Sequence, residues 1–190
     1  MERARVMRIK IVILALMACC LGIFCWYRWA FPFGMRTCAL PCTISALRQF
    51  ARQHGGWFPR EGKTDTDALR LLSPDYLDGA KLAGISGNVG EVERRLLDGR
   101  PLDAHVSSWV YWPGFRIDDD PQLAIIWEMK PSVNGIGRRT GIGGHAVGFA
   151  EGSFGQVSDS KWPLFLAKQK KLRESILSQR DSLQNAKELE

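Results

Sequence analysis

Seventeen consecutive residues without a charge, IVILALMACCLGIFCWY at positions 11–27, constrain this chain more than any other feature. At roughly 1.5 Å per residue, a helix of that length comes close to the roughly 30 Å apolar thickness of a bilayer. Arg28 and then WAFPF follow, and the cluster Trp26, Tyr27, Trp29, Phe31 and Phe33 suits the boundary between lipid and water. The expected organisation is a basic head at residues 1–10, a transmembrane anchor at 11–33, a folded domain at 34–160 and a C-terminal helix at 161–190. Four cations, Arg3, Arg5, Arg8 and Lys10, precede the apolar run, against Arg28 and Arg36 after it. That bias predicts a single-pass inner-membrane protein with a cytoplasmic N-terminus and an extracytoplasmic, periplasmic domain.

The head also accounts for much of the charge. It supplies +3 of the formal +6, so the other 180 residues carry only +3. That is too little for a nucleic-acid footprint, and membrane lipid is the expected partner of the N-terminal segment instead. Two rival readings of the apolar run stay open. Leu16-Met17-Ala18 before Cys19 loosely matches a lipoprotein signal, although apolar sequence continues past the cysteine. A cleaved secretory signal needs a small-residue cleavage site followed by polar chain, whereas aromatic residues run on to Phe33.

Cys19, Cys20 and Cys25 lie inside the run, leaving Cys38 and Cys42 as the cysteines beyond it. Their spacing fits a small-loop disulfide in an oxidising compartment or two idle thiols, and lacks the two-residue gap of a redox dithiol or zinc knuckle.

Beyond Pro41, Ile44, Leu47, Phe50 and Ala51 recur at helical spacing and Gly55 supplies a stop, predicting an amphipathic helix of about three turns. DALRLLSPDYL predicts a short helix ending before Pro74, and Val89 to Leu97 another, ended by Asp98-Gly99. The period then changes. VSSWVYWPG at 106–114 and LAIIWEM at 123–129 predict strands, and HAVGFA and SFGQV predict a hairpin turning at Glu151-Gly152. From Lys161 the chain favours helix, expected to dock through Trp162, Leu164 and Phe165 and become solvated beyond, with Leu172, Ile176 and Leu183 at heptad-like spacing. The fold class is α+β: a membrane helix, an amphipathic helix packed on a small antiparallel sheet, and a C-terminal helix.

No motif in the domain carries obvious chemistry. Gly135-Ile-Gly137-Arg-Arg-Thr-Gly141 misses the dinucleotide fingerprint by one residue and follows a proline rather than a strand. Arg138 and Arg139 can still grip an anion. Asp118, Asp119 and Asp120 are candidate oxygen ligands for a divalent metal, without the repeated ligand pattern of a calcium loop. Glu128, His54, His105 and His145 are the other titratable candidates, but the histidines are scattered and no nucleophile sits in a recognisable elbow. Neither an enzyme nor a resident cofactor is expected.

Taken together, ISALRQFARQHGGWFP, DALRLLSPDYL, SSWVYWPG and a glycine-rich approach to AVGFAEGSFGQV, behind an apolar helix, resemble bacterial type II secretion pseudopilin-like proteins with a type IV pilin fold. In that family a helix, an N-G-G-x-F-P type loop and a terminal N-V-x-F-A-D-G-x-V hairpin recur. The likeness spans roughly residues 43–160. The chain departs from the family at its start, where MRIKIVILALM has neither the Gly-Phe cleavage junction nor the helix glutamate. Its hairpin differs too, with Glu151-Gly152 for Asp-Gly and His145 four residues late for the family's histidine.

The resemblance implies a non-enzymatic pilin-like subunit, anchored by its apolar helix, whose partners are other envelope or secretion-system proteins. Surface around Trp57, Trp112 and the hairpin is the expected docking face. The alternative function is an extracytoplasmic module binding an anion or divalent metal at Arg138, Arg139 or Asp118 to Asp120.

Overall fold

A computed structural model describes residues 2–35, 38–130, 133–134, 136–140 and 143–187. Arg36, Gly135 and Gly141, named above, lie outside the described residues, as does the Leu183 side chain. The first element is one long helix, α1 (Glu2–Ala30), which contains the apolar window Ile9–Ala30 of 22 residues. From Ile9 through Trp29 its side chains are exposed, so the helix carries an apolar surface on every side that the protein itself leaves uncovered. The helix stops at Ala30, short of the expected anchor end at residue 33. Ala30 and Phe31 are buried and Phe33 packs on the domain core, so these two phenylalanines face protein while Trp26 and Trp29 stay exposed.

Cys38 and Cys42 are joined by a disulfide that spans the first turn of α2 (Ala39–Gln53). Pro41 is tolerated there because first-turn amides need no intrahelical partner. Helix α2 therefore begins earlier than its apolar spacing alone suggests. Leu40, Ile44, Leu47, Phe50 and Ala51 form its buried stripe, while Arg52 and Gln53 face solvent. At its end the Gly56 amide donates to Ala51 O at 2.8 Å, and Gly55 and Gly56 take φ of 62° and 87°, a left-handed stop that side-chain-bearing residues resist.

DALRLL (Asp67–Leu72) and GAKLA (Gly79–Ala83) are 3-10 helices rather than the α-helical turn the spacing predicts for the first. Asp67, almost wholly buried, is why the chain tightens there. Its carboxylate accepts from the Lys63 and Leu102 amides, each at 2.9 Å, holding two distant loops together. Helix α3 (Val89–Leu97) begins at Asn88, whose side chain accepts from the Glu91 amide at 3.2 Å.

Four strands follow, β1 (Trp109–Tyr111), β2 (Ala124–Glu128), β3 (His145–Phe149) and β4 (Phe154–Val157), paired antiparallel in the order of the chain. The first is much shorter than residues 106–114. Ser108 keeps only its carbonyl in the ladder, accepting from the Met129 amide at 2.8 Å, because its own amide donates to Ala83 O at 2.9 Å and the Ser107 hydroxyl to Leu82 O at 2.7 Å. Those bonds tie the sheet to the second 3-10 helix instead. In the last hairpin Phe149 and Ser153 are bonded across the tip, and Gly152 adopts φ 103°. Gly152→Val should cost about 2 kcal/mol through backbone strain. A Cβ there would also lie 2.6 Å from Arg48 Nη1 and 2.8 Å from Arg48 Cδ, so that side chain must shift as well. A thermal melt that does not move in this variant would count against the turn.

Both faces of the sheet are covered. Trp109, Tyr111, Ile125 and Ala146 join the core beneath α2, the 3-10 helices and α3. Ala124, Trp127 and Val147 face the other way, onto Trp162, Phe165 and Leu166 of α4 (Trp162–Lys187). Leu164 is 77% exposed and docks nothing, a departure from the sequence reading. The helix also stays attached well past Phe165. Gln169, Leu172, Ile176 and Arg180 continue one stripe, and two of them are polar, so hydropathy alone hides it. The Gln169 side chain accepts from the Ala124 amide at 2.8 Å and donates to Gln122 O at 3.0 Å, satisfying backbone where the β2–β3 register slips.

Candidate interaction site

The tryptophans divide into two groups. Trp109 is fully buried, with its indole N–H donating to Lys81 O at 3.0 Å. Trp112, Trp127 and Trp162 form a ladder under α4, with centroid separations of 4.8 and 6.1 Å, and His145 stacks on Trp162 at 3.9 Å. These are packing residues. Trp112 packs in this ladder yet stays half-buried, with its remaining surface lining a groove beside Thr64, His105 and Tyr111.

Trp57 is different. Just beyond the C-terminal stop of α2, its backbone bridges to Arg116 and its ring is approached by three guanidiniums, from Arg60, Arg180 and Arg116, at 4.7, 4.8 and 5.1 Å from the centroid. The three arginines come from three separate parts of the chain, so no local motif announces them. Cations over an indole face are held by the ring's quadrupole, and Arg keeps donors free in the plane of the guanidinium. Beside Trp57 opens a cleft of about 480 Å³ whose walls include Phe50, His54, Tyr76 and Asp75. His54 is spent structurally, stacked on Phe50 at 3.8 Å with Nδ1 at 2.8 Å from Phe50 O.

The acidic triplet serves this same corner. Asp118 pairs with the Arg116 guanidinium at 2.9 Å, and that partner holds its carboxyl below the ordinary aspartate range. Asp119 accepts from the Arg116 amide at 2.7 Å and pairs with Arg180, which also donates to Gly114 O at 2.7 Å. Asp120 caps the Gln122 amide at 2.8 Å. At least one oxygen of each is thus engaged by loop or helix, and among the described residues no cluster of three His, Cys, Asp or Glu suits a metal ion. Asp119→Ala should lower stability by about 1–2 kcal/mol and speed amide exchange over residues 176–182, because Arg180 loses the anion that clamps α4. Unchanged exchange there would sink that role.

The remaining titratable candidates are dispersed. His105 lies exposed on the loop after Asp103, and buried His145 has Nδ1 at 2.9 Å from Glu128 O. Glu128 itself is fully buried. Its carboxylate accepts from Ser86 Oγ at 2.5 Å, Ser108 Oγ at 2.8 Å and the Ile85 amide at 2.9 Å, fastening the turn at 84–86 to the sheet. Burial raises its pKa above the ordinary glutamate value, opposed by those hydrogen bonds. Arg138 and Arg139 stand exposed on a separate turn and do not meet the acidic triplet.

The aromatic–arginine corner at Trp57 therefore combines an indole face, the ion-paired Arg116 and Arg180, Arg60 and an open cleft. Comparison with known proteins gives no matching family, no similar curated protein and no similar solved structure.

Proposed function

We propose that this chain is a single-pass, membrane-anchored, non-enzymatic subunit whose domain works by protein contacts in a secretion or envelope assembly, in the manner of a pseudopilin. The observation that carries this reading is α1. An apolar helix exposed from Ile9 through Trp29 is tolerable in lipid and not in water, and the domain's core closes without it. A disulfide at Cys38–Cys42, just beyond the anchor, suits an oxidising compartment and an extracytoplasmic domain.

Support for the pilin-like part is the placement of α2 across β3, where Ile44 lies against Gly148, and the antiparallel meander that ends in the glycine-turn hairpin. Two features set the chain apart from a simple pilin plan: the helix breaks between Ala30 and Ala39, and α4 covers the second face of the sheet. The Trp57 corner is the proposed partner-binding face. An anion- or metal-binding module has less support, since Asp118, Asp119 and Asp120 are engaged by Arg116, Arg180 and backbone.

Alkaline carbonate extraction tests the anchor. The full chain should stay with the membrane pellet, while a chain lacking residues 1–29, which keeps the buried Ala30 and Phe31 and the packed Phe33, should be soluble and folded. Full-length protein recovered in the soluble fraction would end the reading. Trp57→Ala should leave the fold intact and abolish co-purification of crosslinked partners; undiminished crosslinking would remove Trp57 from the partner face.

A further inference from the structure

The turn carrying Asn134, Ile136, Gly137 and Arg138 is built against the end of the apolar helix. Val133 pairs with Arg139, the Asn134 side chain accepts from the Ile136 and Arg138 amides at 3.2 and 3.0 Å, and the Arg139 amide donates to Ala30 O at 2.7 Å. That last bond matters most. Ala30 ends a window of 22 residues, about 33 Å of helix at the usual rise, close to the roughly 30 Å apolar thickness of a bilayer. Whatever is bonded to Ala30 is therefore held at headgroup level.

The chemistry of the turn fits that level. Ile136 is 41% exposed although it sits at the tip of a polar turn, and Arg138 and Arg139 are exposed beside it. The Arg139 guanidinium lies 5.8 Å from the Trp29 ring centroid and Lys130 Nζ 5.5 Å from that of Phe33, so cations and interfacial aromatics interleave. Among the described residues no carboxylate lies within ion-pair reach of Arg28, Lys130, Arg138 or Arg139. Elsewhere among the described residues Arg70, Arg94, Arg95, Arg100, Arg116 and Arg180 are ion-paired while Arg48, Arg52, Arg60 and Arg173 are not, so what sets this collar apart is its grouping beside Trp29 and Phe33 at the end of the apolar helix. A collar of unpaired cations with one exposed apolar tip is the composition of a surface that binds anionic headgroups.

We infer that this turn is a second membrane contact, with Ile136 entering the interface and Arg28, Lys130, Arg138 and Arg139 binding the phosphates of anionic lipids. The domain is thereby held in one orientation on the bilayer rather than tethered freely. This rests on the anchoring reading above. A spin label can test both in the full chain, with Cys19, Cys20 and Cys25 replaced by alanine and cysteine introduced singly at positions 23, 97 and 136. The chain is reconstituted in phosphatidylcholine bilayers with or without phosphatidylglycerol.

A label at position 136 should be several-fold less accessible to a water-soluble nickel relaxant than one at position 97, where Leu97 is 89% exposed on α3. Phosphatidylglycerol should strengthen that shielding, inorganic phosphate added to neutral bilayers should not, and Arg138→Glu with Arg139→Glu should remove the strengthening by phosphatidylglycerol. The Arg139–Ala30 bond is made by backbone and survives those substitutions. Equal nickel access at positions 136 and 97, with position 23 shielded, overturns the membrane contact while leaving the anchor intact. Phosphate alone reproducing the shielding assigns the cations to a soluble anion and likewise overturns it. Nickel access at position 23 overturns the anchor and this contact together.

Discussion

Gly148→Val should destabilise the domain by about 3 kcal/mol or more and lower its melting temperature by many degrees. A Cβ at position 148 would lie 2.3 Å from Ile44 Cδ1, 2.6 Å from Ile44 Cγ1 and 3.1 Å from Ile126 Cγ2. Ile44 is itself buried at the centre of α2, with Leu40 and Leu47 packed into the same core, so it has no empty space to enter. The backbone would have to separate α2 from β3.

The contact can be isolated from general fragility by a cycle. Ile44→Ala alone should cost about 2–5 kcal/mol by leaving a cavity. Gly148→Ala in that background should be far less harmful than in the native one, because the added methyl fills vacated space. Strict additivity of the two changes would mean that α2 does not rest on β3 at Gly148.

The second large effect belongs to Glu128. Its Ala variant leaves the Ser86 hydroxyl and the Ile85 amide without their acceptor in a buried site and the Ser108 hydroxyl with only Ala83 O at 3.2 Å, an expected loss of about 3 kcal/mol. Gln is milder, since the serine hydroxyls can turn to accept from its amide. The pH dependence carries the sign. With the folded pKa raised, the folded state binds more protons than the unfolded one between the ordinary glutamate pKa and the folded value, so stability falls as pH rises through that window.

Glu91, Asp103 and Asp118, depressed by Arg94, Arg95 and Arg116 respectively, act oppositely, losing stability as pH falls through their folded values. Asp118 is exposed and Glu91 and Asp103 are half-buried at the surface, where solvent screens their ion pairs and keeps the effect small. Denaturant midpoints of wild type and Glu128→Gln, compared across pH, should therefore converge as pH rises. A constant difference would mean that Glu128 does not titrate with a raised pKa.

These two positions mark what the sequence could and could not show. Helix α2, helix α3 and the terminal hairpin were legible because each is specified locally: an apolar stripe with a glycine stop, a helical run ended by Asp98-Gly99, and alternation around Glu151-Gly152. The Glu128 clamp was not, since its partners Ile85 and Ser86 lie more than forty residues away and its own setting reads as an apolar strand. Helix α4 illustrates the same limit. Its docking stripe uses Gln169 and Arg180, whose burial comes from hydrogen bonds to Gln122, Ala124, Gly114 and Asp119 rather than from hydrophobicity.

The Trp57 corner was half legible. The sequence marks Trp57 as an aromatic in a polar loop with Arg60 three residues on, but only folding brings Arg116 and Arg180 to its ring. Position within the fold also explains why the acidic triplet looked like a metal site: three adjacent carboxylates are conspicuous in sequence, while the two arginines that engage Asp118 and Asp119 are not.

The central claim is a domain held at a bilayer by Ile9–Ala30, on the side opposite the N-terminus. Protease treatment of intact spheroplasts, from a bacterial host expressing the full chain with a C-terminal epitope, tests it most directly. The account predicts that the epitope is lost without lysis while a membrane-embedded N-terminal fragment survives. An epitope that stays protected until the spheroplasts are broken would contradict it.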